Sequence, residues 1–272
     1  MSGTSIDPAT KDALERLEAV LDRRIEIAAI VALANAVNGR LRKPPNVKRV
    51  AIGVDSSVFM RMATDRRSAD ILDYLPRHEA PLIIPGQVIQ EFWNNQLRVV
   101  ETVSDAVKRR FDALAVEMRK VDAGFGDFEQ HMLEMLGRFQ SEYGYVYDEN
   151  TRNNVAKMLA ILQDGAFCTF VPRTDFSRLA ESRKRTRTPP GFKDDMDGDF
   201  FVWADFLFGL LVCASRGESF EQVVLLTNDR KVDWSAAGTP HPLLSAEVDA
   251  LFGVPFDLWT LDEFAGEIAG AV

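Results

Sequence analysis

Residues 222–229 read Gln-Val-Val-Leu-Leu-Thr-Asn-Asp. An unbroken apolar, β-branched run of strand length has the composition of a strand buried on both faces, the kind found inside parallel sheets. Three further segments resemble it. Val50-Ala-Ile-Gly-Val54 ends in Asp55-Ser-Ser, Pro81-Leu-Ile-Ile-Pro85 is bounded by prolines, and Pro255-Phe-Asp-Leu-Trp-Thr260 precedes a terminal helix over 261–268. Ala166-Phe-Cys-Thr-Phe-Val171 reads as a strand or an extended connection. Helical spacing appears between these runs, over 8–39, from 56 to about 74, and over 200–214. Strands separated by helices give an α/β fold with a central, mainly parallel sheet.

Outside that frame the chain divides unevenly. In 8–39, Pro8 suits a first helical turn, and Leu14, Leu17, Leu21, Ile25, Ala28 and Val31 recur at steps of three and four. With the basic, proline-containing linker that follows, this predicts an N-terminal helical arm over 1–46 and a main domain over 47–272. Residues 87–164 lack strand signals. A stripe of Phe92, Leu97, Val100, Val103, Val107, Phe111, Leu114 and Met118 breaks near Gly124 and Gly126. Helices around 127–141 and 151–163 follow, so a helical insertion is expected at about 95–165. The stretch 182–199, with Pro189-Pro190 and two glycines, reads as a loop.

The 272 residues carry 32 Lys plus Arg against 41 Asp plus Glu, a net charge of −9, with 46% hydrophobic and 27% charged residues. This is globular composition. It argues against a protein that coats nucleic acid non-specifically, which needs a cationic excess, but not against an enzyme that grips a few phosphates. Cys168 and Cys213 lie in apolar surroundings without CxxC spacing, so both are expected to be buried thiols in a reducing compartment. His78, His131 and His241 are scattered and fit no zinc or Ser/His/Asp arrangement. The N-terminus lacks a signal-peptide pattern, and the apolar stretch 200–214 holds Asp205 and is short for a bilayer. A cytoplasmic protein with no membrane partner is expected.

In open parallel sheets, ligands bind beyond the carboxyl ends of the strands. Asp55 follows one strand directly, Asp229 follows another within two residues, Glu91 starts the helix after 81–85, and Asp199 opens the helix 200–214, where backbone N–H groups can cap it. Each alone is an ordinary turn or cap residue. Carboxylates gathered at one edge repel and raise one another's pKa unless a cation neutralises them. Hard oxygen donors suit Mg²⁺ or Mn²⁺, and such ions support phosphodiester displacement without His or Cys.

These residues resemble the acidic constellation of PIN-domain nucleases. The closer likeness is to a PIN-like subgroup marked by a Pro-Pro-Gly-Tyr/Phe-Lys-Asp loop, a Gly-Asp-x-x-x-Trp helix start and a Thr-x-Asp-x-Lys-x-Asp-Trp ending. Here they stand as Pro189-Pro190-Gly191-Phe192-Lys193-Asp194, Gly198-Asp199-Phe-Phe-Val-Trp203 and Thr227-Asn228-Asp229-Arg230-Lys231-Val232-Asp233-Trp234. The likeness covers about 47–268. It implies a three-layer PIN-like fold and a metal-dependent nuclease, foremost a ribonuclease, with a role in defence or toxin-like systems. Position by position, Asp55, Glu91, Asp199 and Asp229 would be the catalytic, metal-binding acids. Asp233 would join them if a helix begins at Asp229, since residues four apart then share a face. The loop Asp195-Met-Asp197-Gly198 departs from the pattern by adding acids. It leaves open which of Asp194, Asp195, Asp197 and Asp199 faces the metal, with Asp199 the first choice and Asp194 the second. A HAD-type phosphatase fits less well, because Asp55-Ser-Ser-Val-Phe lacks the second aspartate two residues on.

RNA, ahead of DNA, is the partner the resemblance implies, and a homo-oligomer or regulatory protein partner is open. Residues 178–193 hold Arg178, Arg183, Lys184, Arg185, Arg187 and Lys193 against Glu181, a local +5 that either focuses an anionic strand or belongs to a mobile, solvated loop. Ser56 can bind phosphate or cap the next helix. Lys231 can approach phosphate or neutralise Asp229 and Asp233. Asn228 is a candidate substrate contact, Asn94 and Asn95 are either contacts or exposed helix residues, and Trp203 and Trp234 either stack bases or, the preferred reading, are core or lip residues. The alternative function is a non-catalytic interaction module with a residual acidic site.

Overall fold

The computed structural model describes residues 7–38, 46–63, 65–100, 149–229 and 231–270, with helical residues 110, 113, 114, 116, 117, 128 and 130–135 between them. Five parallel strands form the central sheet: β1 (Val50–Val54), β2 (Leu82–Pro85), β3 (Phe167–Thr169), β4 (Gln222–Leu226) and β7 (Phe256–Trp259). Their spatial order is β3-β2-β1-β4-β7. Ser235–Ala236 (β5) and Thr239–Pro240 (β6) form a separate two-stranded hairpin. The helices are α1 (Pro8–Leu21), α2 (Ala29–Asn38), α3 (Ser56–Met62), α4 (Ser68–Tyr74), α5 (Gly86–Val100), α6 (Glu149–Gly165), α7 (Arg173–Arg185), α8 (Gly198–Ser215), α9 (Pro242–Phe252) and α10 (Leu261–Ala269).

Strand alternation divides the core into two layers of helix contact. Ala51, Ile83, Val223 and Leu225 face a cluster built with α1, α7, α8 and α9. Val50, Ile52, Val54, Leu82, Ile84, Val224 and Leu226 face one built with α3, α4, α6 and α10. The architecture is thus α/β, with helices on both faces of a parallel sheet. Leu17 and Val20 of α1 are fully buried, so the N-terminal helix is part of one of these layers.

Helix α8 lies unusually close to the sheet. A Cβ on Gly53 would stand 2.4 Å from the Phe206 ring, and one on Gly209 would stand 2.7 Å from Ile83. By length and composition α8 could cross a bilayer, contrary to the expectation from 200–214, but it is mostly buried in the core. It also carries Asp205, a fully buried carboxylate paired with Arg173 at 2.8 and 2.9 Å. Asp205 further accepts from the backbone N–H groups of Val171 (2.8 Å) and Gln87 (2.9 Å), joining the end of β3 to the starts of α5 and α7.

Four local expectations are corrected. The segment 8–39 is two helices, because the chain turns at Arg23, whose φ of 60° is left-handed. The helix expected over 56–74 divides into α3 and α4. The region 182–199 is not loop from its start, since α7 continues through Arg185, as helix-favouring Lys and Arg permit. Cys168 lies exposed on the edge strand β3, whereas Cys213 is buried. The stripe positions Val103, Val107, Phe111 and Met118 and the break near Gly124 and Gly126 lie outside the described residues.

His78 fastens the start of β1. Its Nε2–H donates to the Val50 carbonyl at 3.0 Å, and its Nδ1 accepts from the Tyr74 hydroxyl at 2.9 Å. Burial is the main cause holding its pKa below the ordinary 6.5. The folded state therefore binds this proton more weakly than the unfolded chain does. The stabilisation is complete above about pH 6.5 and is lost as pH falls through the lower folded pKa. Urea unfolding between pH 7.5 and 5 is expected to show a flatter pH dependence in His78→Gln than in the wild type.

Candidate functional site

The sheet order places β2 and β4 on opposite sides of β1, so the winding of the sheet reverses beside β1, the place where open parallel sheets bind ligands at their carboxyl edge. Asp55 stands there, 8% exposed, at the end of β1. It is the N-cap of α3: Oδ1 accepts from the Ser56 N–H at 2.7 Å, while Oδ2 accepts from the hydroxyls of Ser57 (2.7 Å) and Thr227 (2.9 Å). Capping thus falls to Asp55, with Ser56 supplying the N–H. The Thr227 hydroxyl also accepts from the Asp229 N–H at 3.0 Å, and the Ser57 hydroxyl from the Asn228 N–H at 3.1 Å. Two hydroxyls therefore lock the ends of β1 and β4 together. The sequence reading assigned neither role, although a Thr beside Asn-Asp at a strand end is the signal that carries one of them.

Three carboxylates converge on one ammonium group. Lys231 Nζ lies 2.6 Å from Asp194, 2.9 Å from Asp229 and 3.3 Å from Asp199. Asp229 also receives the Lys231 N–H at 2.8 Å, and Asp199 receives the Trp234 indole N–H at 3.0 Å. Asp199 is inside the first turn of α8 rather than capping it, and its carboxylate turns toward Lys231 and Trp234. Asp195 is exposed, and Lys184 Nζ donates to its backbone carbonyl at 2.6 Å and lies 3.7 Å from the Asp197 carboxylate. Of the four acids left open by the sequence, Asp194 and Asp199 share the site.

The pair is electrically split. Burial chiefly, then the hydrogen bond with Asp194, pushes Asp199 up to about 7, against the pull of Trp234 and Lys231. Burial also pushes Asp194 upward, but its bonds with Asp199 and Lys231 outweigh that and hold it below the usual carboxylate range. One proton held between two close carboxylates is the expected response to like charges in a partly dry site. Lys231 moves the other way: burial lowers its pKa, but its bonds to Asp194 and Asp229 raise it overall, so it stays charged.

Glu91 reaches the same neighbourhood from α5. A Cβ on Gly198 would come 2.7 Å from Glu91 Oε1, so the glycine beside Asp199 leaves room for this carboxylate, which Gln87 also steadies at 3.0 Å. Asp233 does not join the acids. No helix begins at Asp229, and the chain turns into β5 instead. Asp233 is fully buried, and its Oδ2 accepts from the backbone N–H groups of Gly191 (3.0 Å) and Lys193 (3.3 Å), while Oδ1 has no hydrogen-bond partner. It fastens the Pro-Pro-Gly-Phe-Lys-Asp loop. Trp234 and Trp203 are buried as expected, and their rings meet edge to face at 6.1 Å.

The basic segment contributes less free charge than its sequence suggests. Arg183 is 3% exposed and is bound to Glu247 at 2.8 Å and to the Leu21 and Pro189 carbonyls. Lys184 is engaged as above, and Arg185 pairs with Glu181 at 2.5 Å. Arg187 and Lys193 are exposed. Asn94 is also exposed, and the side chain of Asn95 lies outside the described residues.

Among the described residues, no three His, Cys, Asp or Glu side chains are spaced to grip one ion in this conformation. The chemistry of the converging donors nonetheless suits a hard divalent cation, since they are all carboxylate oxygens and the point where they meet already carries positive charge. Compared with protein-family models, curated proteins and solved structures, the chain matches none. Asp233→Ala should cost about 1–3 kcal/mol by leaving two loop donors without their acceptor. Hydrogen exchange is expected to show the amides of Gly191 and Lys193 losing protection before the rest of the domain.

Proposed function

We propose that the chain is a metal-dependent nuclease that hydrolyses phosphodiester bonds, with RNA preferred to DNA. The observation that carries this reading is the meeting of Asp194, Asp199 and Asp229 at one point of the carboxyl edge, with Asp55 tied to Asp229 through Thr227. The resemblance to PIN-like nucleases, carried by the same acids and by the loop motifs around them, supports the reading as well.

Asp55, Asp229, Asp199 and Asp194 would hold Mg²⁺ or Mn²⁺, with Glu91 beside them. Such an ion, when bound, supplies the positive charge that stabilises a phosphodiester transition state. The chain's own residues perform the remaining work. Ser57 and Thr227 fix the direction of Asp55, so its oxygens need little reorganisation. Asp194 and Asp199 hold a proton between them and can release it as positive charge enters the site. Lys231 neutralises the acids and, once released from them, can pair with a phosphate oxygen. Arg187 and Lys193, exposed on the loop that leads into Asp194, can bind flanking phosphates.

Cleavage of labelled single-stranded RNA and DNA in Mn²⁺, with EDTA as control, tests this reading. Asp55→Asn and Asp229→Asn are each expected to reduce cleavage by more than the roughly 10- to 100-fold lost with an outer-shell partner. Wild-type cleavage by both variants would refute the assignment.

A second reading, a non-catalytic module, draws on the same lysine, because Lys231 already occupies the centre of the acids. Lys231→Met separates the two. With the ammonium removed, three carboxylates repel without a cation, so a metal-binding site should lose thermal stability in EDTA and regain it in Mn²⁺, with a larger shift than the wild type. Equal melting temperatures in EDTA and Mn²⁺ for both proteins would favour the module.

A further inference from the structure

Between Phe200 and Val212, helix α8 holds a single charged residue, Asp205. Stability alone does not call for it, since a buried ion pair is often no better than well-packed apolar residues in its place. What the carboxylate holds accounts for it. Oδ1 accepts from the Val171 N–H and from Arg173 Nη1, and Oδ2 accepts from Arg173 Nη2 and from the Gln87 N–H. Gln87 is the second residue of α5, so its N–H is one of those at a helix start that have no acceptor within the helix. Asp205 therefore fixes where α5 begins. Phe170 secures the same turn: its ring fills the space over Gly86, where a Cβ would stand 2.4 Å away, and the Arg173 guanidinium lies 5.4 Å from that ring and 4.4 Å from the ring of Phe201.

The turn that Asp205 fixes carries the link to the acids. The Gln87 side chain donates to Glu91 Oε1, and that oxygen lies against Gly198, the neighbour of Asp199. Asp199 and Asp205 stand on one helix, six residues and so about 9 Å apart along its axis. We infer that Asp205 and Gln87 form a relay that positions Glu91: α8 presents Asp199 at its first turn and, from further along, anchors the backbone of the residue whose side chain aims Glu91 toward it. The relay rests on the metal-dependent reading above and adds to it two positioning residues that act only through Glu91. An ion pair serving stability alone would be replaceable by apolar residues without consequence for Glu91, and there the two accounts part.

The Mn²⁺ affinity of the full chain, followed by electron paramagnetic resonance without substrate, tests the relay. Gln87→Met keeps the buried pair and removes the last link. Asp205→Leu combined with Arg173→Met removes the acceptor of the Gln87 N–H and leaves neither charge without its partner. Each is expected to weaken Mn²⁺ binding by roughly 10- to 100-fold, the range for groups that orient a metal ligand, while circular dichroism shows a folded chain. In a Glu91→Ala background both losses should vanish, because the two residues act through Glu91; damage to the fold at large would add to that of Glu91→Ala. Unchanged affinity in Gln87→Met, or losses that persist in full beside Glu91→Ala, would overturn the relay and leave the nuclease reading standing. A wild-type chain that binds no Mn²⁺ would overturn that reading and the relay with it.

Discussion

Glu247 is a fully buried carboxylate on α9, compensated by Arg23 at 2.6 Å, Arg183 at 2.8 Å and the indole N–H of Trp203 at 2.7 Å. A charge in that position tolerates few arrangements of its partners, because leaving a buried ion without compensation costs about 3–5 kcal/mol. The consequence extends well beyond the pair. Arg183 also binds the Leu21 carbonyl at the end of α1 and the Pro189 carbonyl at the start of the loop that reaches Asp194. Two residues further on, Asp233 takes hold of the same loop from the other side. The position of Asp194 beside Lys231 thus depends on a buried ion pair between α7 and α9, in the layer to which α8 also belongs. The crossing of α1, the exit of α7 and the acidic loop are fixed by one electrostatic condition.

The sheet was largely legible in the sequence because its strands are buried on both faces. Runs such as 50–54 and 222–226 must then be continuously apolar, and they can be read without knowledge of their neighbours. The acids at strand ends were legible for a related reason: a parallel sheet sends its strand ends to a common edge. Asp55, Asp199 and Asp229 accordingly come into one neighbourhood, where Thr227 links Asp55 to Asp229.

What the sequence concealed was the partnership of charges. Arg183 looks like one of six cations available to a phosphate, and nothing local says that Glu247, 64 residues away, holds it in the core. Asp233 looks like a helical companion of Asp229, yet the turn into β5 points it at the backbone of 191–193. The break after α1 was hidden likewise, because a left-handed Arg23 has no mark in a periodic pattern of leucines and alanines. In each case the deciding interaction is long-range or conformational, and neither composition nor spacing records it.

The close seating of α8 on the sheet bears on the acidic crevice as well. Gly53 lies two residues before Asp55, and the ring that fills its missing side-chain space belongs to Phe206, seven residues after Asp199 on the same helix. Strand and helix are thus in direct register through one aromatic ring, and the gauge between these two acids is set from beneath, by core volume. Evolution could widen or narrow that gauge by changing the bulk at 53 or 206 while leaving every acidic residue in place. On the proposed nuclease reading, metal or substrate preference would drift in this way through apolar positions that a comparison of site residues alone would pass over.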